Sequence, residues 1–157
     1  MIGGVHPRVL GYLGRALSLE YTAVQQYMTQ ASLVELWGQA DAAERFRQDT
    51  AEEMRHAERI VMQMLQLGVA PAASQLRPVR AASSLVQLLR LNRELEADLI
   101  QHYAEAARFC TMMRDEVNGS FFRHLWEEEL QHGNDLEIWI QELDRNGPEG
   151  AAQRATF

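Results

Sequence analysis

The sequence predicts an all-α protein, a four-helix bundle with a long crossover between helices two and three. Three observations carry this prediction. Apolar residues recur every three or four positions in four segments, short breaks follow the first and third segments, and a long aperiodic stretch follows the second. Only four prolines occur among 157 residues, which also favours helix. We expect one domain over residues 1–157, with the bundle at about 8–146 and a short tail at 147–157.

Proline and glycine delimit the first two helices. Pro7 suits the first turn of a helix, where its missing N–H costs nothing, and Gly38 ends the first periodic pattern. Asp41 with Glu44 has the spacing of a capping box and predicts the start of the second helix, which Gly68 stops. The inward faces carry, in order, Leu10, Leu13, Leu17, Glu20, Val24, Tyr27, Ala31 and Val34, then Phe46, Asp49, Glu53, His56, Ile60, Gln63 or Met64, and Leu67.

The stretch from residue 68 to residue 82 has no clear period and predicts the crossover. Its fifteen residues reach at most about 50 Å when extended. A helix of about 28 residues is about 42 Å long. The crossover can therefore span the whole bundle and bring the third helix in parallel to the second, whereas the two short breaks imply antiparallel neighbours.

Serine and Asn-Gly signals delimit the last two helices. One serine of the pair at 83–84 can cap the third helix. Asn118 with Gly119 predicts its end, and Ser120 the cap of the fourth helix. Asn-Gly-Pro at 146–148 predicts a firm stop. The inward faces carry Leu85, Leu89, Asn92, Glu96, Leu99, Tyr103, Ala106, Cys110 and Met113, then Phe122, Leu125, Glu129, His132, Leu136, Trp139 and Leu143.

One pattern of polar residues occurs twice on these faces, 76 positions apart. The first copy consists of Glu20, Tyr27, Glu53 and His56, and the second of Glu96, Tyr103, Glu129 and His132. In each copy the first glutamate is followed after 7 positions by the tyrosine, after 33 positions by the second glutamate, and after 36 positions by the histidine. Residues at i and i+3 share a helix face. Four helices would thus bring four carboxylates and two imidazoles together.

Such a cluster needs cations or protons. Six like-charged pairs about 6 Å apart would cost roughly 15 to 20 kcal/mol at an effective dielectric of 20, as an upper bound. A domain is stable by only about 5 to 15 kcal/mol. Two divalent ions would balance four carboxylates, and mixed oxygen and imidazole ligands suit iron or manganese, with zinc possible. A single Glu-x-x-His would be weak evidence, but two in register favour a di-metal site.

Other polar residues fall outside the pattern. We expect Glu127 and Glu128 on a solvated face and His6, His102 and His124 at the surface. The two tyrosines of the pattern can hydrogen-bond a ligand carboxylate, and for Tyr103 core packing is an equal alternative. We expect the methionines and tryptophans to pack against other side chains rather than to act as ligands or in catalysis.

Composition excludes several classes of function. A net charge of −7 disfavours a nucleic-acid partner. One cysteine, Cys110, excludes an intrachain disulfide and suits a reducing compartment. Residues 1–8 lack the apolar core of a signal peptide, and no apolar stretch approaches membrane-spanning length. We therefore expect a cytoplasmic protein with no membrane partner.

From about residue 9 to residue 143 the chain resembles the bacterioferritins, within the ferritin-like di-iron carboxylate superfamily. The resemblance rests on LSLEYTAVQQY at 17–27, EEMRHAER at 52–59, Glu96, and EEELQH at 127–132. It implies a ferritin-like bundle with two iron ions per subunit. It implies that Glu53 and Glu129 bridge the irons, that Glu20 and Glu96 are terminal ligands, and that His56 and His132 bind one iron each. Tyr27 matches the family's tyrosine beside the ferroxidase centre, and Met54 its haem b ligand at a two-fold dimer interface.

The resemblance implies a ferroxidase that oxidises Fe²⁺ with O₂ or peroxide for iron storage and detoxification. The fifth helix of the family is short or absent here, since only residues 149–157 remain. Assembly is therefore open between a dimer and a 24-subunit shell. Two alternatives stay open as well. One is a non-storage di-iron peroxidase or oxygenase acting as a dimer, and the other is a non-enzymatic bundle that carries metal or haem.

Overall fold

Four long helices make up the protein, and this computed structural model describes residues 4–147. The helices are α1 (Pro7–Leu36), α2 (Ala40–Gln66), α3 (Leu85–Met112) and α4 (Glu116–Arg145). No strand occurs within residues 4–147, and the predicted all-α four-helix fold is confirmed. None of these helices is long and apolar enough to cross a lipid bilayer. The prediction of a short or absent fifth helix concerns residues 148–157, which lie outside the described residues.

The crossover between α2 and α3 runs alongside α1 and in the same direction as α1. The backbone N–H of Gln75 donates to Ser18 Oγ at 3.1 Å, and the N–H of Arg80 donates to Gln26 Oε1 at 3.3 Å. The chain thus returns to the end of the bundle where α2 began. As predicted, α3 runs parallel to α2, while α1 with α2 and α3 with α4 form antiparallel pairs joined by short turns.

A ring of buried amides fastens the crossover to the bundle. Gln26 donates to Asn92 at 3.0 Å, Asn92 donates to Gln30 at 2.7 Å, and Gln30 donates to the carbonyl of Arg80 at 3.2 Å. The N–H of Arg80 closes the ring on Gln26. All three side-chain amides are buried. Because buried amides are costly when unpaired, this ring fixes the register of α1, α3 and the crossover.

The start of α4 differs from the prediction. The cap is Asp115, whose carboxylate accepts from the N–H of Asn118 at 3.1 Å, so the predicted cap at Ser120 is wrong. Asn118 and Gly119 lie inside the helix. A Cβ at Gly119 would stand 3.3 Å from the Cβ of Cys110. The glycine therefore serves the close approach of α3 and α4 rather than a chain break.

The start of α2 also differs. Its N-cap is Gln39, whose side chain makes no capping bond, and Asp41 lies in the first turn. The capping box predicted from Asp41 and Glu44 is wrong, although the Asp41 carboxylate is well placed for the helix dipole. For α3 the cap is Ser84, whose hydroxyl accepts from the N–H of Gln87 at 3.4 Å.

Buried apolar side chains form two clusters towards opposite ends of the bundle. One includes Tyr12, Leu13, Leu99, Phe122 and Leu125, and the other Val34, Phe46, Leu89, Leu136 and Trp139. On α2 and α4 the Glu-x-x-His segments fall between the two clusters. Hydrocarbon therefore closes the bundle interior on both sides of these polar segments.

Two expectations about burial are wrong. Met113, predicted to lie on the inward face of α3, follows the last helical residue and is 46% exposed. His102, predicted to lie at the surface, is only 9% exposed and donates from Nε2 to the carbonyl of Tyr12 at 2.8 Å. Helix α1 packs closely enough on α3 to cover a position beside the inward face, and the carbonyl supplies the partner that a buried imidazole requires.

Candidate metal centre

All six polar side chains of the repeated pattern converge in the middle of the bundle. They are Glu20 from α1, Glu53 and His56 from α2, Glu96 from α3, and Glu129 and His132 from α4. None is more than 6% exposed. The i, i+3 spacing places each Glu-His pair on one helix face, so the two pairs meet across the bundle.

The six residues form two overlapping groups of potential ligands. One group is Glu20, Glu53, His56 and Glu129, and the other is Glu53, Glu96, Glu129 and His132. Within each group, one ligand atom per residue lies within 4.8 Å of the others. Glu53 and Glu129 belong to both groups. This sharing is the geometry expected of two adjacent cations bridged by two carboxylates.

Each histidine turns Nδ1 towards the carboxylates. His56 Nδ1 lies 2.8 Å from Glu129 Oε1 and 3.3 Å from Glu53 Oε2. His132 Nδ1 lies 3.0 Å from Glu53 Oε1 and 3.0 Å from Glu96 Oε1. The same nitrogen that here donates to a carboxylate is the one that faces the centre of its group, so Nδ1 is the candidate ligand atom on both imidazoles.

Unpaired buried oxygens show that the residues fit a metal. The Oε2 atoms of Glu20, Glu53, Glu96 and Glu129 are all buried without a hydrogen-bond partner. Leaving a buried carboxyl oxygen unpaired costs about 1–3 kcal/mol, and more where the group is charged. Divalent cations between the carboxylates would satisfy all four oxygens at once, and this donor set suits iron or manganese.

Without metal, protons balance the charge. Burial, and then repulsion from Glu129, raises the pKa of Glu53 to about 6 and that of Glu96 to about 8. Burial and the charge of Glu53 raise the pKa of Glu20 well above its usual value. For both histidines burial lowers the pKa, but the surrounding carboxylates raise it by more, so both imidazoles are charged. Metal binding must therefore release protons.

We expect the metal-free protein to lose stability as the pH rises from 6 to 8, by at least about 2 kcal/mol. The folded pKa values of Glu53 and Glu96, about 6 and 8, lie above the ordinary glutamate pKa of about 4.5. The stabilisation from their protonation is full below about pH 4.5 and is lost as the pH passes through the folded values. The raised pKa values of the histidines act in the same direction.

Thermal unfolding in chelator across this pH range measures the effect. A parallel series with Mn²⁺ is the control, because proton release on binding should reverse the sign and make the loaded protein more stable at pH 8 than at pH 6. A metal-free midpoint that climbs between pH 6 and pH 8 would contradict the assignment of charges.

Two tyrosines form hydrogen bonds between α1 and α3 at the metal centre. Tyr27 on α1 donates a hydrogen bond to Oε1 of Glu96 on α3, and Tyr103 on α3 donates to Oε1 of Glu20 on α1 at 2.5 Å. Both phenols are buried. Burial and the nearby carboxylates raise the pKa of both, so both are protonated donors. Of the two alternatives for Tyr103, the structure shows the hydrogen bond.

Sequence reasoning missed two carboxylates behind the histidines. Asp49 Oδ1 lies 3.5 Å from His132 Nε2, and Glu128 Oε2 lies 3.5 Å from His56 Nε2. Glu128 is partly exposed, as predicted, and is also paired with Arg59. These contacts are ion pairs rather than hydrogen bonds, and His132 Nε2 has no hydrogen-bond partner among residues 4–147. A carboxylate behind a ligating imidazole favours the orientation that turns the other ring nitrogen to the metal. The only sequence signal was position: Asp49 on the inward face of α2, and Glu128 next to Glu129.

Other singled-out residues lie away from the centre. Met54 is 40% exposed and points out of the bundle. Glu127, His6 and His124 are exposed, as predicted. The imidazole of His6 caps α1 by accepting from the N–H of Arg8 at 3.1 Å.

A cleft of about 380 Å³ reaches the centre from the outside at His132. Its polar lining comprises Arg45, Gln48, Asp49, Glu52, His132, Asp135 and Glu142. Four carboxylates against one guanidinium give the opening a negative field that attracts cations.

Known proteins share this fold and much of this sequence. A family model described as a ferritin-like domain matches residues 10–146. The bacterioferritin of Rhodobacter capsulatus is 34% identical over 145 residues, covering 92% of this chain and 90% of the relative. That of Mycobacterium avium is 27% identical over 143 residues, covering 91% and 90%. A solved structure of the Rhodobacter capsulatus protein has a TM-score of 0.89 at 33% identity, covering 94% and 92%. It is described as having a metal-free dinuclear site and haem iron in a crystallographic special position.

Proposed function

The chain belongs to the bacterioferritin family of iron-storage proteins, and we propose that it binds two Fe²⁺ per subunit and oxidises them with O₂ or peroxide. The observation that carries this proposal is the pair of buried ligand groups that share Glu53 and Glu129. Two Fe²⁺ carry four positive charges against four carboxylates. The centre is therefore neutral when it is full, and repulsive when protons and metal are both removed.

The residues have separable roles in this proposal. Glu53 and Glu129, which belong to both ligand groups, would hold both irons, while Glu20 with His56 and Glu96 with His132 would complete the two sets. Asp49 and Glu128, whose carboxylates lie 3.5 Å behind the imidazoles, attract the Nε2 sides of the rings and so favour Nδ1 facing the centre. Hydrocarbon at both ends keeps bulk water out, which strengthens every electrostatic contact inside. The acidic cleft at His132 supplies a route by which the cations enter.

Anaerobic titration of the metal-free protein with Fe²⁺, followed by addition of O₂, tests the proposal. We expect tight binding that saturates at two Fe²⁺ per subunit, then rapid consumption of O₂ as the iron is oxidised. Binding without O₂ consumption would favour the non-enzymatic alternative. A protein with no high-affinity Fe²⁺ sites would overturn the proposal altogether.

Haem binding through Met54 is a second candidate function. The side chain is 40% exposed on α2. The solved structure of the Rhodobacter capsulatus relative has its haem iron in a crystallographic special position. A haem on a two-fold axis would take one thioether from each of two copies, which fits an outward-facing methionine.

We expect a Met54→Leu variant to lose haem while keeping its Fe²⁺ sites, because leucine preserves the apolar surface but has no sulfur ligand. Reconstitution with haem b should give the wild type one low-spin haem per two chains. Met62→Leu is the matched control, since Met62 is an exposed methionine on the same helix. A low-spin spectrum that survives in Met54→Leu would rule out this ligand.

Storage requires a hollow assembly, and we propose that the protein forms at least a dimer. Exposed apolar side chains, among them Met28, Leu36 and Met62, remain to be covered. Light scattering on the purified protein decides the size. A mass near 430 kDa, for 24 copies of the 17.9 kDa chain, would support storage. A mass near 36 kDa, for two copies, would remove storage and favour a dimeric di-iron enzyme.

A further inference from the structure

We propose that Arg45, held on the ring of Trp139, sets the rate at which cations pass through the acidic cleft to the metal centre. The ring keeps the guanidinium away from the carboxylates of the cleft. The cleft therefore stays open, while one positive charge remains beside the path of the cations. This inference rests on the proposed function and concerns how metal ions reach the ligands.

The cleft leads between negative side chains to a candidate ligand. Its carboxylates are Asp49 and Glu52 from α2 and Asp135 and Glu142 from α4. His132 also lines the cleft, so a cation that passes the carboxylates has reached one of the ligand groups. Arg45 is the lining residue nearest to the start of α2, and it carries the positive charge of the cleft.

Arg45 forms an ion pair with none of these carboxylates. Six other arginines do pair with a carboxylate, at positions 47, 59, 77, 80, 90 and 93. Among residues 4–147, no carboxylate oxygen lies within 4.0 Å of an Arg45 nitrogen. Asp49 is one helical turn from Arg45 and thus within reach of its side chain. The Asp49 carboxylate instead lies 3.5 Å from His132 Nε2.

The ring of Trp139 takes the place of a carboxylate partner. The guanidinium carbon of Arg45 lies 3.6 Å from the centre of the indole ring, well within cation–π distance. Trp139 is only 7% exposed and packs on Phe46, with the ring centres 5.6 Å apart, so the indole is fixed in the apolar cluster. At a protein surface a cation–π contact is comparable in strength with an ion pair. The ring can therefore hold the guanidinium against the competing carboxylates.

Two effects on a passing cation follow from this position. The charge of Arg45 weakens the negative field of the cleft, because a unit charge about 8 Å from a divalent ion changes the local concentration of that ion by about 5-fold in water-like surroundings. The ring also prevents Arg45 from pairing with Asp49, which would place a guanidinium in front of His132. Arg45 on Trp139 thus slows the entry of cations, and Arg45 released from Trp139 would slow it further.

Stopped-flow mixing of metal-free protein with Co²⁺ tests this, because the visible absorption of Co²⁺ reports its arrival at the ligands without any oxidation. We expect Arg45→Gln to speed this arrival by about 5-fold at about 0.01 M salt. At about 1 M salt, where the Debye length is about 3 Å, variant and wild type should have the same rate. Arg47→Gln is the matched control, since Arg47 lies on the same helix but pairs with Glu35 at 2.6 Å, outside the cleft. It should keep the wild-type rate at both salt concentrations.

Substitution of the ring should act in the opposite direction. We expect Trp139→Leu to slow the arrival of Co²⁺ by about 2- to 5-fold, the preference of an exposed ion pair, because the released guanidinium can pair with Asp49. Trp139→Phe keeps an aromatic ring under the guanidinium and should slow it less. In the double variant Arg45→Gln/Trp139→Leu no arginine remains to close the cleft, so Co²⁺ should arrive at least as fast as in the wild type.

Equal rates for Arg45→Gln and wild type at low salt would overturn the inference, and Arg45→Gln leaves the apolar cluster intact. A double variant as slow as Trp139→Leu would overturn it too, because the slowing would then come from damage to that cluster rather than from the arginine. Co²⁺ that reaches the ligands at one rate in every variant removes only the role of Arg45. Co²⁺ that never binds to the wild type removes the proposed metal centre itself.

Discussion

The Glu129→Gln variant is expected to lose rapid Fe²⁺ oxidation and to fold at least as stably as the wild type in the absence of metal. Glu129 belongs to both ligand groups, so its loss weakens both metal positions at once. Loss of a partner behind a ligand typically lowers metal affinity or activity by about 10- to 100-fold. Removal of a shared ligand should therefore lower the rate of Fe²⁺ oxidation by more than about 100-fold.

The stability of the same variant without metal should stay level or rise, although its activity falls. After burial, the charge of Glu129 is the largest cause that raises the pKa of Glu53 and Glu96. Glutamine keeps the volume of the side chain and removes this repulsion. His56 gives up its shortest contact but keeps Glu53 at 3.3 Å and Glu20 at 3.4 Å. We therefore expect the metal-free variant to unfold at the wild-type temperature or above it at pH 8.

Initial rates of O₂ consumption and thermal unfolding in chelator measure the two effects. Glu127→Gln is the matched control, because Glu127 carries the same charge on the same helix and is exposed. It should leave both quantities unchanged. A Glu129→Gln protein that oxidises Fe²⁺ at the wild-type rate would show that this carboxylate is not shared by two irons.

The long helices and the convergence of the six polar residues could be predicted because both follow from periodicity. An apolar period of three to four residues fixes which face of a helix is buried, and Glu53 with His56 lies on that face. The 76-residue repeat adds independent support, because chance would have to place the same spacing twice on buried positions. These inferences need no knowledge of how closely any two helices approach.

The helix starts could not be predicted as well, because tertiary packing overrode a local signal. Asn118 with Gly119 is a strong turn signal, yet both residues are helical. Asp115 caps the helix, and the glycine allows α4 to approach Cys110 on α3. The same local sequence thus fits a turn or a close helix crossing, and only the neighbouring helix decides between them.

Contacts between helices were the other part that the sequence could not supply. Tyr103 reaches Glu20 across 83 positions, and Asp49 approaches His132 from another helix. Such contacts depend on how each helix is rotated and shifted, and a rotation of a few tens of degrees would remove them. Periodicity fixes a face, but it does not fix the position of a side chain within that face.

The Phe122→Ala variant is expected to destabilise the metal-free protein by about 3–5 kcal/mol. Phe122 is fully buried, and its ring lies 6.3 Å from that of Tyr12 and 6.4 Å from that of Tyr103. Truncation leaves a cavity in the apolar cluster that closes one end of the metal centre. Since a domain of this kind is stable by about 5–15 kcal/mol in total, the loss leaves a marginal fold.

Metal should raise the stability of the variant but leave the stability difference between variant and wild type unchanged. An ion that binds only the folded state adds about 4 kcal/mol at a concentration 1,000 times its dissociation constant. The six candidate ligands are untouched in Phe122→Ala, so Mn²⁺ should raise the stability of wild type and variant by the same amount. Urea unfolding in chelator and in Mn²⁺ measures both quantities. Phe121→Ala, a partly buried neighbour, is the control and should lose less.

Two results would contradict this account. A loss below about 1 kcal/mol in chelator would mean that the cluster around Phe122 collapses to fill the space, as only a loosely packed core could. A smaller gain from Mn²⁺ in the variant than in the wild type would mean that the cavity disturbs the ligands. That disturbance would pass through Tyr103, because its ring packs against Phe122 while its hydroxyl holds Glu20. Equal gains would show that the apolar cluster provides the stability of the bundle, and that the metal centre is held in place independently by its own helices.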